Sequence, residues 1–136
     1  MIRRYKFLIL PVTVLFISCI STQKQVDCSI FKTGRFELIS EFSNSTSFIE
    51  RSDSIQTETD SKTGDVVKAR IKWTGNCEYE LNYFQQTSNT TDSITPFIQT
   101  GTLKTQIIKA TKDYYIFRST MAGIDKTLTD TLRVAR

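Results

Sequence analysis

From residue 28 onward, apolar and polar residues alternate in short runs rich in Thr, Ile, Val, Phe and Tyr. This is the pattern of half-buried strands, and no segment carries a helical period. The runs predict strands over residues 35–42, 48–51, 54–60, 67–73, 77–83, 102–111, 114–121 and 126–134. Gly34, Gly64, Gly75, Gly101 and Gly123 fall where one alternation stops or the next begins, and 61–65 (SKTGD), 112–113 and 122–125 (AGID) supply turns. The long polar stretch 87–95, followed by Pro96, reads as a loop.

One hairpin can be registered from side chains alone. Val67, Ala69, Ile71 and Trp73 alternate with Lys68, Arg70 and Lys72, while Cys77, Tyr79, Leu81 and Tyr83 alternate with Glu78, Glu80 and Asn82. A two-residue turn at Gly75-Asn76 would set Trp73 against Glu78 and mix the two faces. A three-residue loop, Thr74-Gly75-Asn76, opposes Lys72 to Glu78, Arg70 to Glu80, Ile71 to Tyr79 and Trp73 to Cys77, which satisfies the pleat. That register expects Asn76 to be left-handed and to close a bulged turn.

The expected fold is therefore all-β: an antiparallel meander of about eight strands joined mostly by short turns. Closing it into a barrel would remove both edges. The run Phe31-Lys32-Thr33-Gly34-Arg35-Phe36 resembles the Gly-x-Trp opening strand of lipocalin-like barrels, with Phe36 in the place of Trp. The resemblance implies a small closed barrel able to hold a ligand. That family also packs a helix on its barrel, and none is evident here, so a strongly curved open sheet or a small sandwich stays open as the other reading.

The first residues follow a different rule. Arg3, Arg4 and Lys6 precede the apolar run from Phe7 to Ile17, which only Pro11 and Thr13 interrupt. The run is about half the roughly 20 residues of a spanning helix, so residues 1–18 read as an export signal rather than an anchor. Leu15-Phe16-Ile17-Ser18-Cys19 resembles a lipobox, which implies cleavage before Cys19 and acylation of its thiol; an ordinary signal peptide cut nearby is the alternative. Residues 19–27 then form a tether, and 28–136 a single β domain.

Export changes the charge argument. Removing residues 1–18 from 136 leaves 118 and takes away three cations, so the formal charge falls from +4 to +1. Nucleic-acid binding loses its compositional support, because a phosphate-binding surface needs a local excess of Lys and Arg. With Cys19 lipidated, Cys28 and Cys77 remain as an even pair in a compartment where disulfides persist. Two buried thiols or half a metal site form the alternative, one that the lack of histidine does not favour.

Catalytic patterns are missing from the sequence. There is no histidine, no Gly-rich phosphate loop and no Gly-x-Ser-x-Gly elbow, so neither enzyme chemistry nor a cofactor is expected. Glu78 and Glu80 read as a solvated ladder facing Lys72 and Arg70. Arg51, Asp53 and Glu58 read as scattered polar positions without a role. The most concentrated apolar face is Ile71, Trp73, Tyr79, Leu81 and Tyr83, which is either core or the wall of a pocket for an apolar ligand. Tyr114 and Tyr115 must point to opposite faces, and an exposed tyrosine with Ile116 and Phe84 would mark a partner surface.

Residues 50–59 (ERSDSIQTET), Ile71-Lys72-Trp73, Cys77-Glu78-Tyr79-Glu80-Leu81 and the run from Phe31 to Phe36 together look like a family of short exported bacterial proteins. Some members carry the label DNA topoisomerase IV. That activity needs a nucleophilic tyrosine in a large metal-assisted assembly, which an exported chain of this size and near-neutral charge does not supply. The resemblance implies export and brings no activity with it. The expectation is a noncatalytic lipoprotein of the bacterial envelope, held by its lipid in the outer membrane, whose β domain binds a partner or a small apolar ligand. A purely structural or assembly role, and inhibition of another protein through the 87–95 loop, are the alternatives.

Overall fold

The computed structural model describes residues 27–40, 44–87 and 101–136. The export segment 1–18, Cys19, tether residues 20–26 and loop residues 88–95 lie outside the described residues.

Eight antiparallel strands close into one barrel in sequence order: β1 Gly34–Ser40, β2 Ser45–Arg51, β3 Ile55–Asp60, β4 Val66–Trp73, β5 Glu78–Thr87, β6 Thr102–Ala110, β7 Tyr114–Met121 and β8 Thr127–Val134. The open-sheet and sandwich readings are thereby excluded. Closure comes from β1 and β8 through Phe36↔Val134, Glu37↔Arg133 and Leu38↔Leu132. Beyond Leu38 and Leu132 toward the β8 start these strands no longer pair, and the seam is shortest there.

Each strand places alternate residues inside, as the pleat requires. Phe36 opposes Ile49, Ile71 opposes Leu81, and Tyr115 opposes Leu132, all of them buried. Burying side chains of this size stabilises by about 1.5–3 kcal/mol each. β2 begins three residues earlier than its apolar pattern indicates, because the backbones of Ser45, Thr46 and Ser47 are satisfied by pairing with β1. Among the described residues there is no α-helix. One turn of 3-10 helix, Ser29–Phe31, plugs the end of the barrel where β1 starts and β2 ends.

The plug is fixed from two sides. Phe31 is fully buried with its ring 4.8 Å from that of Tyr115, and Cys28 is bonded to Cys77, with 5.3 Å between their Cα atoms. Gly34, at φ +131°, carries the chain from plug to β1 in a conformation that a side chain resists.

The β4–β5 hairpin corrects the sequence-based register by two residues. Trp73 faces Tyr79, Lys72 faces Glu80, Ile71 faces Leu81 and Arg70 faces Asn82. The faces are the expected ones, since a slip of two preserves the pleat. Cys77 does not oppose Trp73, because it is bonded to Cys28 and its carbonyl accepts from Ile107 N at 2.8 Å. The longer loop is closed by Thr74 N and Gly75 N, both donating to Glu78 O at 2.9 and 3.2 Å. Asn76 is not left-handed; among the described non-glycine residues only Asn44 has positive φ.

A second irregularity lies between Lys68 and Ala69, where the register moves from Lys68↔Gln85 to Ala69↔Tyr83. The extra residue, Phe84, is turned outward under the guanidinium of Arg70, 4.8 Å from its ring. Tyr115 points inward and Tyr114 is half-buried outside. Tyr114 and Ile116 sit near the plugged end of β7, and Phe84 lies beyond the last β5–β6 pair at the other end, so the three do not form one patch. Outside, Glu80 lies 3.9 Å from Lys104, and Glu78 faces Gln106 rather than Lys72.

Candidate functional site

The interior holds two layers. Next to the plug lies a floor of buried polar groups, and above it, toward the unplugged end, a cavity of about 170 Å³.

Arg51 builds the floor. Ile49 is turned inward on β2, so the pleat turns Arg51 inward as well, and it is only 4% exposed. Its Nη1 donates to the plug carbonyl of Phe31 at 2.8 Å, and its Nη2 to Tyr115 Oη at 3.1 Å and Tyr79 Oη at 3.4 Å. Nε and Nη2 both donate to Gln56 Oε1, at 2.9 and 2.6 Å. The guanidinium carbon stands 5.0 Å from the Phe36 ring centre and 4.8 Å from that of Tyr79, adding cation–π attraction. A guanidinium stays charged at any accessible pH, so a permanent cation sits at the base of the barrel.

The network then climbs β3. With Gln56 Oε1 occupied by Arg51, the amide Nε2 is left to donate, and it does so to Glu58 Oε1 at 2.7 Å. Tyr83 Oη donates to the same oxygen at 3.0 Å. Burial pushes the Glu58 carboxyl above its usual range, against the pull of the Gln56 and Tyr83 hydrogen bonds and the Arg51 charge. Burial likewise holds the Tyr83 and Tyr115 phenols well above theirs, so both stay neutral. On the other side, Thr105 and Ser119 satisfy each other across β6 and β7 at 2.8 Å.

The cavity is amphipathic. Its apolar wall includes Leu103, Phe117, Leu128 and Leu132 on β6 to β8, interrupted by the mutually bonded Thr105 and Ser119 hydroxyls, and its polar wall is Gln56 and Glu58 on β3. In an eight-stranded ring β3 stands across from β7, so Glu58 looks across the cavity toward Phe117 and its neighbours. Leu38, Ile49, Leu81, Tyr79 and Tyr83 also line it.

The face expected from sequence is thus divided. Tyr79, Leu81 and Tyr83 line the cavity. Ile71 is buried in the core, and Trp73 stacks on Tyr79 at 4.9 Å with the Lys32 ammonium 5.5 Å from its ring, so neither reaches the cavity. The residues that sequence reasoning missed are Arg51, Gln56, Glu58 and Tyr115. The signal for the first three was the inward parity of Ile49, carried two residues on to Arg51 and across the β2–β3 pairs to Gln56 and Glu58. Asp53, left without a role, lies exposed in the turn before β3. Among the described residues no group of three or more His, Cys, Asp or Glu is placed to hold a metal.

Fold and site define a closed eight-stranded antiparallel barrel, plugged at one end and hollow at the other. No protein-family model, curated protein or solved structure matches the chain.

Proposed function

We propose that the barrel is a noncatalytic binding module whose interior takes one small ligand with an apolar body. The carrying observation is the cavity itself. Close-packed interiors leave few voids larger than a water molecule, and a cavity of about 150 Å³ lined by apolar side chains accepts a benzene-sized molecule; this one measures about 170 Å³. The reading is binding rather than turnover because the interior hydroxyls and the Arg51 donors are engaged with one another, as a preorganised floor requires.

The module belongs, in this reading, to an exported lipoprotein held at the outer membrane through Cys19, one of the short exported bacterial proteins it resembles. The position of the plug supports it. Asp27 leads into the plugged end, where Ser29 N donates to Asp27 Oδ1 at 3.0 Å. A lipid on Cys19 would therefore tether the barrel by its closed end and leave the cavity facing away from the membrane. The eight residue steps from Cys19 to Asp27 span at most about 28 Å when extended.

Titration of the purified protein with toluene, read by amide chemical shifts, tests the pocket. Saturable shifts at Leu81, Phe117 and Leu132 are expected. A spectrum unchanged at millimolar toluene would leave the barrel a structural element of the envelope. Intact mass of the membrane-bound protein tests the anchor: residues 1–18 should be gone and the mass of an acylated cysteine present.

A further inference from the structure

We infer that the ligand of this cavity carries an ammonium group, received by Glu58; the inference rests on the pocket reading above. Glu58 lines the cavity, and both of its internal hydrogen bonds end on one oxygen, Oε1. Oε2 accepts none from the described residues. The arrangement is locked from behind. Two Arg51 donors hold Gln56 Oε1, so the Gln56 amide cannot turn its oxygen toward Glu58, and Tyr83 offers a neutral phenol. Oε1 is therefore spent as an acceptor, and Oε2 is the carboxylate oxygen left for a ligand.

The sign of the ligand follows from the charges around it. Arg51 lies below Gln56 and reaches Glu58 only through that amide, so among the described residues the carboxylate has no direct ion pair. An ionised oxygen left unpaired in a partly dry cavity is costly, and a charge-assisted N–H bond is the strongest remedy available. A carboxylate or phosphate ligand would meet Glu58 repulsively, and the Arg51 cation is already engaged by the floor. Opposite Glu58 stand Phe117 and Leu132, and the Thr105 and Ser119 hydroxyls on that side are bonded to each other, so the rest of the ligand is apolar. The structure assigns a small amine with a hydrocarbon or aromatic body, ammonium toward β3 and body toward β7 and β8.

Four probes of similar size separate the terms: toluene, benzyl alcohol, benzylamine and benzoate, each titrated into the purified protein. Benzylamine is expected to bind at least about tenfold more tightly than toluene, as one hydrogen bond to a charged group provides, and benzoate more weakly than toluene. Glu58→Gln, which keeps an acceptor for Gln56 and Tyr83, should remove the preference for benzylamine over toluene. If toluene binds and benzylamine binds no better, or if benzoate or benzyl alcohol binds best, the ammonium assignment is overturned and the pocket stands. If none of the four binds, both fall. The ranking on the unaltered protein decides the matter even where the variant does not fold.

Discussion

Arg51 holds a single oxygen of Gln56 with two of its donors, at 2.9 and 2.6 Å, and so dictates which way that amide points. Everything above it follows. The amide nitrogen is aimed at Glu58, and Glu58 is fixed by one oxygen with the other left over. Below it, the same guanidinium holds the carbonyl of Phe31 and so ties the plug to the wall. A stabilising floor and a binding surface are thus two ends of one hydrogen-bonded chain.

Removing its centre should be expensive. Arg51→Ala would strip partners from the Phe31 carbonyl, Gln56, Tyr79 and Tyr115 at once, and a loss of about 3–5 kcal/mol in urea unfolding is expected, as for a broken buried charge network. Arg51→Lys should recover only part, since an ammonium lacks the planar fork that serves Gln56 and Tyr115 together. A loss below about 1 kcal/mol for the alanine variant would mean that the plug is held by packing and the disulfide alone.

What the sequence made legible, and what it did not, divides along a physical line. All eight strands could be read, most from alternation, because burial on one face imposes a period of two, and the rest from Thr- and Ile-containing runs between turn residues. Register could not, since a slip of two leaves every side chain on its own face; only the tertiary demand on Cys77 selects the observed pairing. The site was hidden for a related reason. In β2 both Phe48 and Ile49 are apolar, yet Phe48 is 47% exposed, and in β3 the residues Thr57, Glu58, Thr59 and Asp60 show no alternation of polarity at all. A polar interior erases the very contrast from which parity is read. Cys28 and Cys77 were legible as a pair because oxidation leaves few alternatives.

The hairpin register has a direct check. Proton contacts across the ladder should link Ile71 with Leu81 and Ala69 with Tyr83 in nuclear Overhauser spectra. Cross-strand contacts of Ile71 with Tyr79, the partner its side-chain pattern first indicates, would restore the three-residue loop and undo the account of Cys77.

The disulfide closes 49 residues of chain, including β1 to β4. In the chain-entropy model a loop of that size stabilises by about 4 kcal/mol. Guanidine unfolding with and without reductant should differ by about that amount, and the Cys28→Ser, Cys77→Ser double variant should match the reduced protein. Two free thiols in the denatured, unreduced protein, with Cys19 acylated, would show that the bond does not form.

Glu58 and Asp60, two residues apart on β3, should drive stability in opposite directions with pH. The Asp60 carboxylate accepts from the backbone of Thr63 and Lys62 and from Ser45 Oγ, bonds that hold its pKa below the usual range. Its folded form binds fewer protons than its unfolded form, so its contribution is present at neutral pH and disappears as pH falls through the folded value. Glu58 is raised by burial, so its folded form keeps a proton that the unfolded chain has released. Its contribution is greatest in acid, and stability declines as pH rises from the usual carboxyl range through the folded value. Asp60→Asn should therefore destabilise at neutral pH and converge on the parent in acid. Glu58→Gln should match the parent in acid and exceed it at neutral pH, because a neutral amide carries no desolvation penalty while still accepting from Gln56 and Tyr83. Urea midpoints from about pH 3 to pH 7 decide it. A Glu58→Gln curve parallel to the parent would mean that this carboxylate is not strained by its burial. A gain in neutral stability alongside a lost preference for benzylamine would identify Glu58 as a group kept for binding at the expense of the fold.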